Sequence, residues 1–152
     1  MKYLPIFYQL TGKTCIVVGG GGIAARKADL LLSAGARVTV ISPELGDEMS
    51  RFHSDGRIEW IDRHYQPGDL QDAWLVIAGT NLPEVNEQIA REAEALRIPC
   101  NRVEHPELGS FIMPSIINRE PVQIAVSTGG ASPVLARLIR TNLESCTPSA
   151  YG

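Results

Sequence analysis

The apolar segment Thr14-Cys15-Ile16-Val17-Val18 runs directly into four glycines, Gly19 to Gly22. A short, uninterrupted apolar run suits a strand buried on both faces, the usual condition inside a parallel sheet. The residues from Ile23 to Ala34 have helical composition. Ile23, Ala24, Leu30, Leu31, Ala34 and the aliphatic stem of Lys27 are expected on one stripe, and Gly35 stands where a helix C-cap glycine belongs. Arg37-Val38-Thr39-Val40-Ile41 then reads as a second strand. Strand, glycine turn, helix and strand within about 30 residues make a βαβ unit, whose crossover should be right-handed.

The alternation continues along the chain. A polar helix is expected over 43–54 and strands at Ile58–Ile61 and Ala73–Ala78. A long helix over Leu82–Leu96 carries Val85, Ile89, Ala93 and Leu96 at helical spacing, and Ile98–Val103 follows as a strand. Five strands separated mostly by helices define an α/β protein with a doubly wound parallel sheet of Rossmann type. Beyond Glu104 the texture changes. Pro and Gly become frequent, and β-like segments at Phe111–Met113, Ile116–Ile117 and Gln123–Ser127 precede a helix with Ser132 as N-cap and Pro133 at its first position. Val134, Leu135, Leu138 and Ile139 give that helix an apolar face. The expected organisation is therefore a nucleotide-binding domain over 1–113 and a small α+β region over 114–152. The apolar segments of the second region are too short for a core of their own, so it is expected to form a twofold dimer.

Composition narrows the functional classes. A chain of 152 residues is one domain's worth, and 14 Lys plus Arg against 17 Asp plus Glu gives a net charge of -3. That balance argues against nucleic acid, which usually meets a basic stripe. No apolar run reaches the ~18 residues of a membrane span, and Met1-Lys2-Tyr3-Leu4-Pro5 does not open a signal peptide. Cys15, Cys100 and Cys146 are an odd number without metal-ligand spacing. A reducing cytoplasmic setting and no bound metal are the expectations.

Gly19-x-Gly21-x-x-Ala24, between strand and helix, matches the dinucleotide fingerprint with Ala in third place. Gly19 permits the turn, Gly21 lets backbone approach a pyrophosphate, and Ala24 keeps the helix close to the sheet. The phosphates would lie against free N–H groups at the helix N-terminus. A Walker phosphate loop is absent, since Lys27 falls inside the helix. The second strand ends at Ile41-Ser42-Pro43-Glu44, where an NAD site usually presents a carboxylate to the ribose hydroxyls. Ser42 stands there and Glu44 two residues on, and either can bond a ribose. Ser42 does not exclude a 2′-phosphate as a carboxylate would, but Arg51 and Arg63 are too distant in sequence to argue for NADP, and NAD is the expected cofactor. Thr80, just past the Ala73–Ala78 strand, is counted with these cofactor contacts.

These residues resemble the precorrin-2 dehydrogenase family, which includes the amino-terminal module of siroheme synthase. The likeness rests on Leu4-Pro5-Ile6-Phe7, Val17-Val18-Gly19-Gly20-Gly21, Ala25-Arg26-Lys27-Ala28, Ala34-Gly35-Ala36 and Val38-Thr39-Val40. More specific still are Ser110-Phe111-Ile112-Met113-Pro114-Ser115-Ile116-Ile117 and the run from Ala125 through Ser127-Thr128-Gly129-Gly130-Ala131-Ser132-Pro133 to Ala136. It extends from about Leu4 to Ser145. The resemblance implies NAD-dependent oxidation of precorrin-2 to sirohydrochlorin on the way to sirohaem, by a Rossmann domain followed by a dimerisation region. Some members also insert ferrous iron, and the sequence leaves that step open. The longer helical extension of many relatives is expected to be absent, because residues 146–152 are rich in helix breakers. By position, Gly22-Ile23 and Pro43-Glu44 fall where the family contacts NAD. The family's acid/base candidate is an Asp closing an Asn-x-Val-Asp segment. Here that segment is Asn101-Arg102-Val103-Glu104, a carboxylate one methylene longer.

Oxidising a reduced tetrapyrrole requires hydride loss to the nicotinamide and proton loss elsewhere, and a carboxylate at the end of a parallel strand can take that proton. Glu104 is accordingly the catalytic candidate; His105 reads as a loop histidine. Thr128-Gly129-Gly130-Ala131-Ser132 is a second glycine-rich turn opening a helix, able to hold a substrate carboxylate or simply to cap. Thr128, Gly129, Ser132 and Arg137 are the substrate-binding candidates, and Arg102, Arg119 and Arg140 are further cations for an acidic substrate. No Cys/His/Asp cluster has metal-ligand spacing, so iron insertion would use Glu104 and the macrocycle's own nitrogens. A non-catalytic NAD- or tetrapyrrole-binding protein is the alternative function.

Overall fold

The computed structural model describes residues 1–147 and 149. It divides into two compact units: Pro5–Phe111, and a second that joins Met1–Leu4 to the chain from Ile112 onward.

In the first unit, β1 (Thr14–Val18) enters the glycine turn and α1 (Gly22–Ser33) leads to β2 (Arg37–Ile41). There follow α2 (Asp47–Ser54), β3 (Glu59–Ile61), β4 (Leu75–Ala78), α3 (Pro83–Ala95) and β5 (Cys100–Arg102). The five strands form one sheet in the order β3-β2-β1-β4-β5, and every pairing is parallel. This is the doubly wound topology expected from the sequence. The order reverses between β1 and β4, and a crevice opens at such a switch point beyond the carboxyl ends of the strands.

Burial on both faces explains the continuous apolar runs. Ile16, Val18, Val76, Ala78 and Cys100 pack with Leu70 and with Ile89 and Ala93 of α3. Cys15, Val17, Val38, Val40, Leu75 and Ile77, alternating with them, are equally buried. Helix α1 lies against β1 and β2. It buries Ala24, Ala25, Ala28 and Leu31, whereas Ile23 and Leu30, expected on the same stripe, are exposed. The face turned to the sheet is centred on Ala24, Ala28 and Leu31, and at about 100° per residue Ile23 and Leu30 fall to one side of it. Gly35, at φ +79°, ends the helix. Its N–H reaches the Leu32 carbonyl at 2.9 Å and the Ala36 N–H reaches that of Leu31 at 3.1 Å, the paired bonds of a Schellman cap.

Two expectations are corrected. Residues 43–46 are not helical; α2 begins at Asp47 because Ser42 and Gly46 hold this segment as a loop against the glycine turn. Phe111–Met113 has no strand pairing. The Ser110 N–H instead binds the Cys100 carbonyl at 2.8 Å, and the Phe111 carbonyl accepts from Asn101 Nδ2 at 3.2 Å.

The second unit contains the antiparallel pair β6 (Ser115–Arg119) and β7 (Val122–Val126), then α4 (Pro133–Cys146). Ser132 caps α4 as its residue type predicts, Oγ accepting from the Leu135 N–H at 3.1 Å. Loss of this cap in Ser132→Ala should lower stability by about 1 kcal/mol in urea unfolding. The α4 residues facing the hairpin centre on buried Ala136; Val134, Leu135, Leu138 and Ile139 remain exposed. The expected helix-breaking end of the chain falls in part on Pro148 and residues 150–152, outside the described residues. No helix among the described residues is long and apolar enough to cross a membrane.

Candidate active site

Strand register gathers the sequence-predicted residues of the first unit. Val18 stands opposite both Ile41 and Ala78, and Ala78 opposite Arg102. The residues that follow, Gly19, Ser42, Gly79 and Val103, therefore leave the sheet along one edge, carrying the glycine turn, Pro43-Glu44, Thr80 and Glu104 with them.

The four glycines do different work. At Gly19, φ is +120°, and an added Cβ would lie 2.3 Å from the Gly79 carbonyl oxygen. A Cβ on Gly20 would come within 2.1 Å of the Glu44 carbonyl oxygen, on a loop further tied by the Gly46 N–H to Gly20 carbonyl bond of 2.8 Å. These two positions are clamped by neighbouring backbone. Gly21 and Gly22, by contrast, face open space, with nothing within 4 Å of an added Cβ. Gly21 is the N-cap of α1 and supplies no side-chain cap, so the first N–H groups of the helix are left for a ligand. Ile23, 51% exposed, stands beside them. A rigid turn with an open, donor-rich lip fits a dinucleotide pyrophosphate.

At the end of β2, the Ser42 hydroxyl is engaged locally, donating to the Glu44 carbonyl at 2.6 Å. The Ser42 carbonyl accepts from Trp60 Nε1 at 2.8 Å. Ser42 thus shapes the loop, and exposed Pro43 and Glu44 form its outer surface.

Glu104 follows β5, its side chain 30% exposed. Oε1 accepts from Asn86 Nδ2 at 2.7 Å and from Arg102 Nη2 at 3.2 Å. The Arg102 side chain is only 7% exposed. Asn86, fully buried on α3, also binds the Thr80 segment. A chain of contacts consequently runs from the glycine turn through Gly79, Thr80 and Asn86 to Glu104. Asn86 was not among the sequence candidates, although its signal is present. It lies three residues before Ile89 and seven before Ala93, an amide on the face that α3 buries.

Other candidates serve structural roles. His105 Nδ1 is 3.3 Å from Glu107 Oε1 on the surface. Burial pushes the Cys15 and Cys100 thiols up to about 11, which keeps them protonated and unreactive. Among the described residues, no group of three His, Cys, Asp or Glu side chains could hold a metal ion. In the second unit, Thr128 Oγ1 accepts from the Ser132 N–H at 2.9 Å, so both hydroxyls of the second glycine turn support its cap. Gly129, at φ +66°, lies against Tyr3. Arg137 is exposed, whereas Arg119 and Arg140 converge on Glu144 at 3.6 and 3.5 Å.

A family model described as "Putative NAD(P)-binding" matches residues 6–115, the stretch that contains the whole sheet and the glycine turn. The chain belongs to this NAD(P)-binding family. A second model, "Sirohaem biosynthesis protein central", matches residues 119–145. The siroheme synthase of Methylobacillus flagellatus is 50% identical over 152 residues, covering all of this chain and 32% of that protein. Siroheme synthase 3 of Aeromonas hydrophila is 48% identical, with the same shares covered. The chain spans about a third of the length of these curated relatives. Among solved structures, SirC, a precorrin-2 dehydrogenase, superposes with a TM-score of 0.81 at 27% identity, covering 98% of this chain and 73% of SirC. These matches bear out the resemblance drawn from the sequence, and they place a nicotinamide nucleotide in the family's repertoire without separating NAD from NADP.

Proposed function

We propose that this chain is an NAD-dependent precorrin-2 dehydrogenase, producing sirohydrochlorin for sirohaem. The observation that carries this reading is the tie between the glycine turn and Glu104, a nucleotide lip and a carboxylate joined through Thr80 and Asn86. Bound NAD would supply the hydride acceptor. The N–H groups of Gly22 and Ile23 would hold its pyrophosphate, with the Pro43-Glu44 loop beside the ribose and Thr80 along the nicotinamide side. The exposed Glu44 carboxylate disfavours a 2′-phosphate by like charge, which is the argument for NAD over NADP. Glu104 accepts the proton released as the macrocycle loses hydride. Thr128, Gly129, Ser132 and Arg137 are proposed to receive the substrate's carboxylates, through the glycine turn that opens α4 and the exposed Arg137 guanidinium. Ferrous iron would be a second substrate, received by the tetrapyrrole nitrogens with Glu104 taking their protons.

The test is anaerobic mixing of the protein with precorrin-2 and NAD, followed at the NADH band. Formation of NADH with sirohydrochlorin is expected; absence of NADH from protein that binds NAD overturns the proposal. A later addition of ferrous iron reports on metallation in the same cuvette.

The second unit is proposed to pair with a second copy through Val134, Leu135, Leu138 and Ile139, which are left exposed among the described residues. Leu138 is 58% exposed in the single chain. Leu138→Glu should turn a sedimenting dimer into a monomer without loss of helix content. Three free thiols suit a reducing, cytoplasmic setting.

A further inference from the structure

Asn86 has no exposed surface, yet every hydrogen-bonding group of its side chain is used. Oδ1 accepts from the Thr80 N–H at 3.0 Å and from the Thr80 hydroxyl at 2.7 Å. Nδ2 donates to the Thr80 carbonyl at 3.0 Å and to Glu104 Oε1 at 2.7 Å. The amide orientation is fixed by chemistry, because a backbone N–H can only donate and a carboxylate can only accept. Three bonds grip one residue, Thr80, and the fourth leaves for the one carboxylate of the site.

Helix packing alone does not call for this amide. Ile89 and Ala93, on the same face, are fully buried and apolar, and a side chain like theirs would fill the space but leave the N–H, hydroxyl and carbonyl of Thr80 without this partner. The bonds must instead be judged by what they hold. Glu104 is a long, flexible carboxylate on a loop, and unrestrained it would sample several rotamers. Asn86 and the buried Arg102 both seize Oε1, and among the described residues Oε2 makes no hydrogen bond.

We propose that Asn86 is a positioning residue for the oxidation: it ties the Glu104 carboxylate to the Thr80 segment, so that Oε1 is the anchor and Oε2 the proton-accepting atom. This rests on the reading of Glu104 as the base. It also explains how a residue one methylene longer than the family's Asp is accommodated, since the extra reach is folded back onto an anchor. The Thr80 segment packs against Gly19 through Gly79, so the tether references the base to the same backbone that receives the nucleotide.

The experiment uses Asn86→Asp in the full chain, with turnover of precorrin-2 followed across pH. Aspartate keeps the acceptor for the Thr80 N–H and hydroxyl, loses the donor to the Thr80 carbonyl, and presents a second carboxylate where Glu104 needs a donor. Two such groups at hydrogen-bond distance share a proton. The acid limb of kcat should therefore move to higher pH by about one unit or more. The plateau should fall roughly 10- to 100-fold, as expected for misplacement on the order of 1 Å. In a Glu104→Gln background, the same substitution should cost much less, because only the bond to the Thr80 carbonyl is then at stake. Asn86→Ser, which cannot reach Glu104, provides the same comparison of backgrounds should the aspartate variant fail to fold. An unmoved acid limb, or an equal loss in both backgrounds, would mean that Asn86 supports only the fold and would overturn the proposal. Those results come with turnover by the unsubstituted protein and so leave the dehydrogenase reading standing; absence of that turnover, with NAD bound, overturns both.

Discussion

Gly21→Asp is expected to abolish NAD binding while leaving the unfolding temperature where it was. The prediction follows from what surrounds the position. Gly21 has φ -77° and ψ 178°, an extended conformation open to any L residue, and an added Cβ meets nothing within 4 Å. The fold therefore has no use for glycine at this position. A carboxylate there would occupy the lip of the turn and turn negative charge towards the pyrophosphate it should receive. Affinity should fall at least about 100-fold, close to 3 kcal/mol, by titration calorimetry. Gly20→Ala should behave in the opposite way. Its Cβ would meet the Glu44 carbonyl oxygen at 2.1 Å, backbone against which no rotamer change can help. The Pro43–Gly46 loop must move, with a loss of about 1–3 kcal/mol of stability typical of forced overpacking. Gly19→Ala adds a positive φ to the same kind of clash and should be at least as damaging. If Gly21→Asp bound NAD with undiminished affinity, the turn would not be the phosphate site, whatever its pattern.

That contrast also shows what could be read from the chain directly. The βαβ unit was legible because apolar runs, glycine punctuation and a helix cap agree within a single stretch of sequence, from Thr14 to Ile41. Local agreement of that kind carries through the parallel sheet and through the Ser132 cap on α4. Gly19, Gly20 and Gly21 look alike in sequence, however, and differ only by what comes back from elsewhere: Gly79, Glu44 and nothing. The stripe on α1 was misplaced for a related reason. Helical periodicity counts Ile23 and Leu30 as apolar, but which arc of the helix is covered depends on the strands it packs on, and that arc holds Ala24, Ala25, Ala28 and Leu31. Phe111–Met113 has strand composition without a strand, since the Cys100 N–H is taken by the Ser110 hydroxyl and the Phe111 carbonyl by the Asn101 side chain. Glu104 could be found from its place after a strand. Its anchors could not, because Asn86 reaches it across 18 residues of chain.

Those anchors make Glu104→Gln the most informative substitution at the carboxylate. A glutamine retains an oxygen at Oε1, so the bonds from Asn86 Nδ2 and Arg102 Nη2 can persist. Only the ability to take a proton is removed. The expected result is a kcat lower by about 10²–10⁴, the usual range for loss of a general base, with NAD affinity and unfolding temperature unchanged. Glu104→Asp should retain more activity than Glu104→Gln, yet less than the parent. The shorter side chain keeps a base but must choose between its anchors and the reach of its free oxygen. Should Glu104→Gln turn over at the parental rate, the proton must leave by another route, and the network that converges on Glu104 would then be a structural brace between β5 and α3.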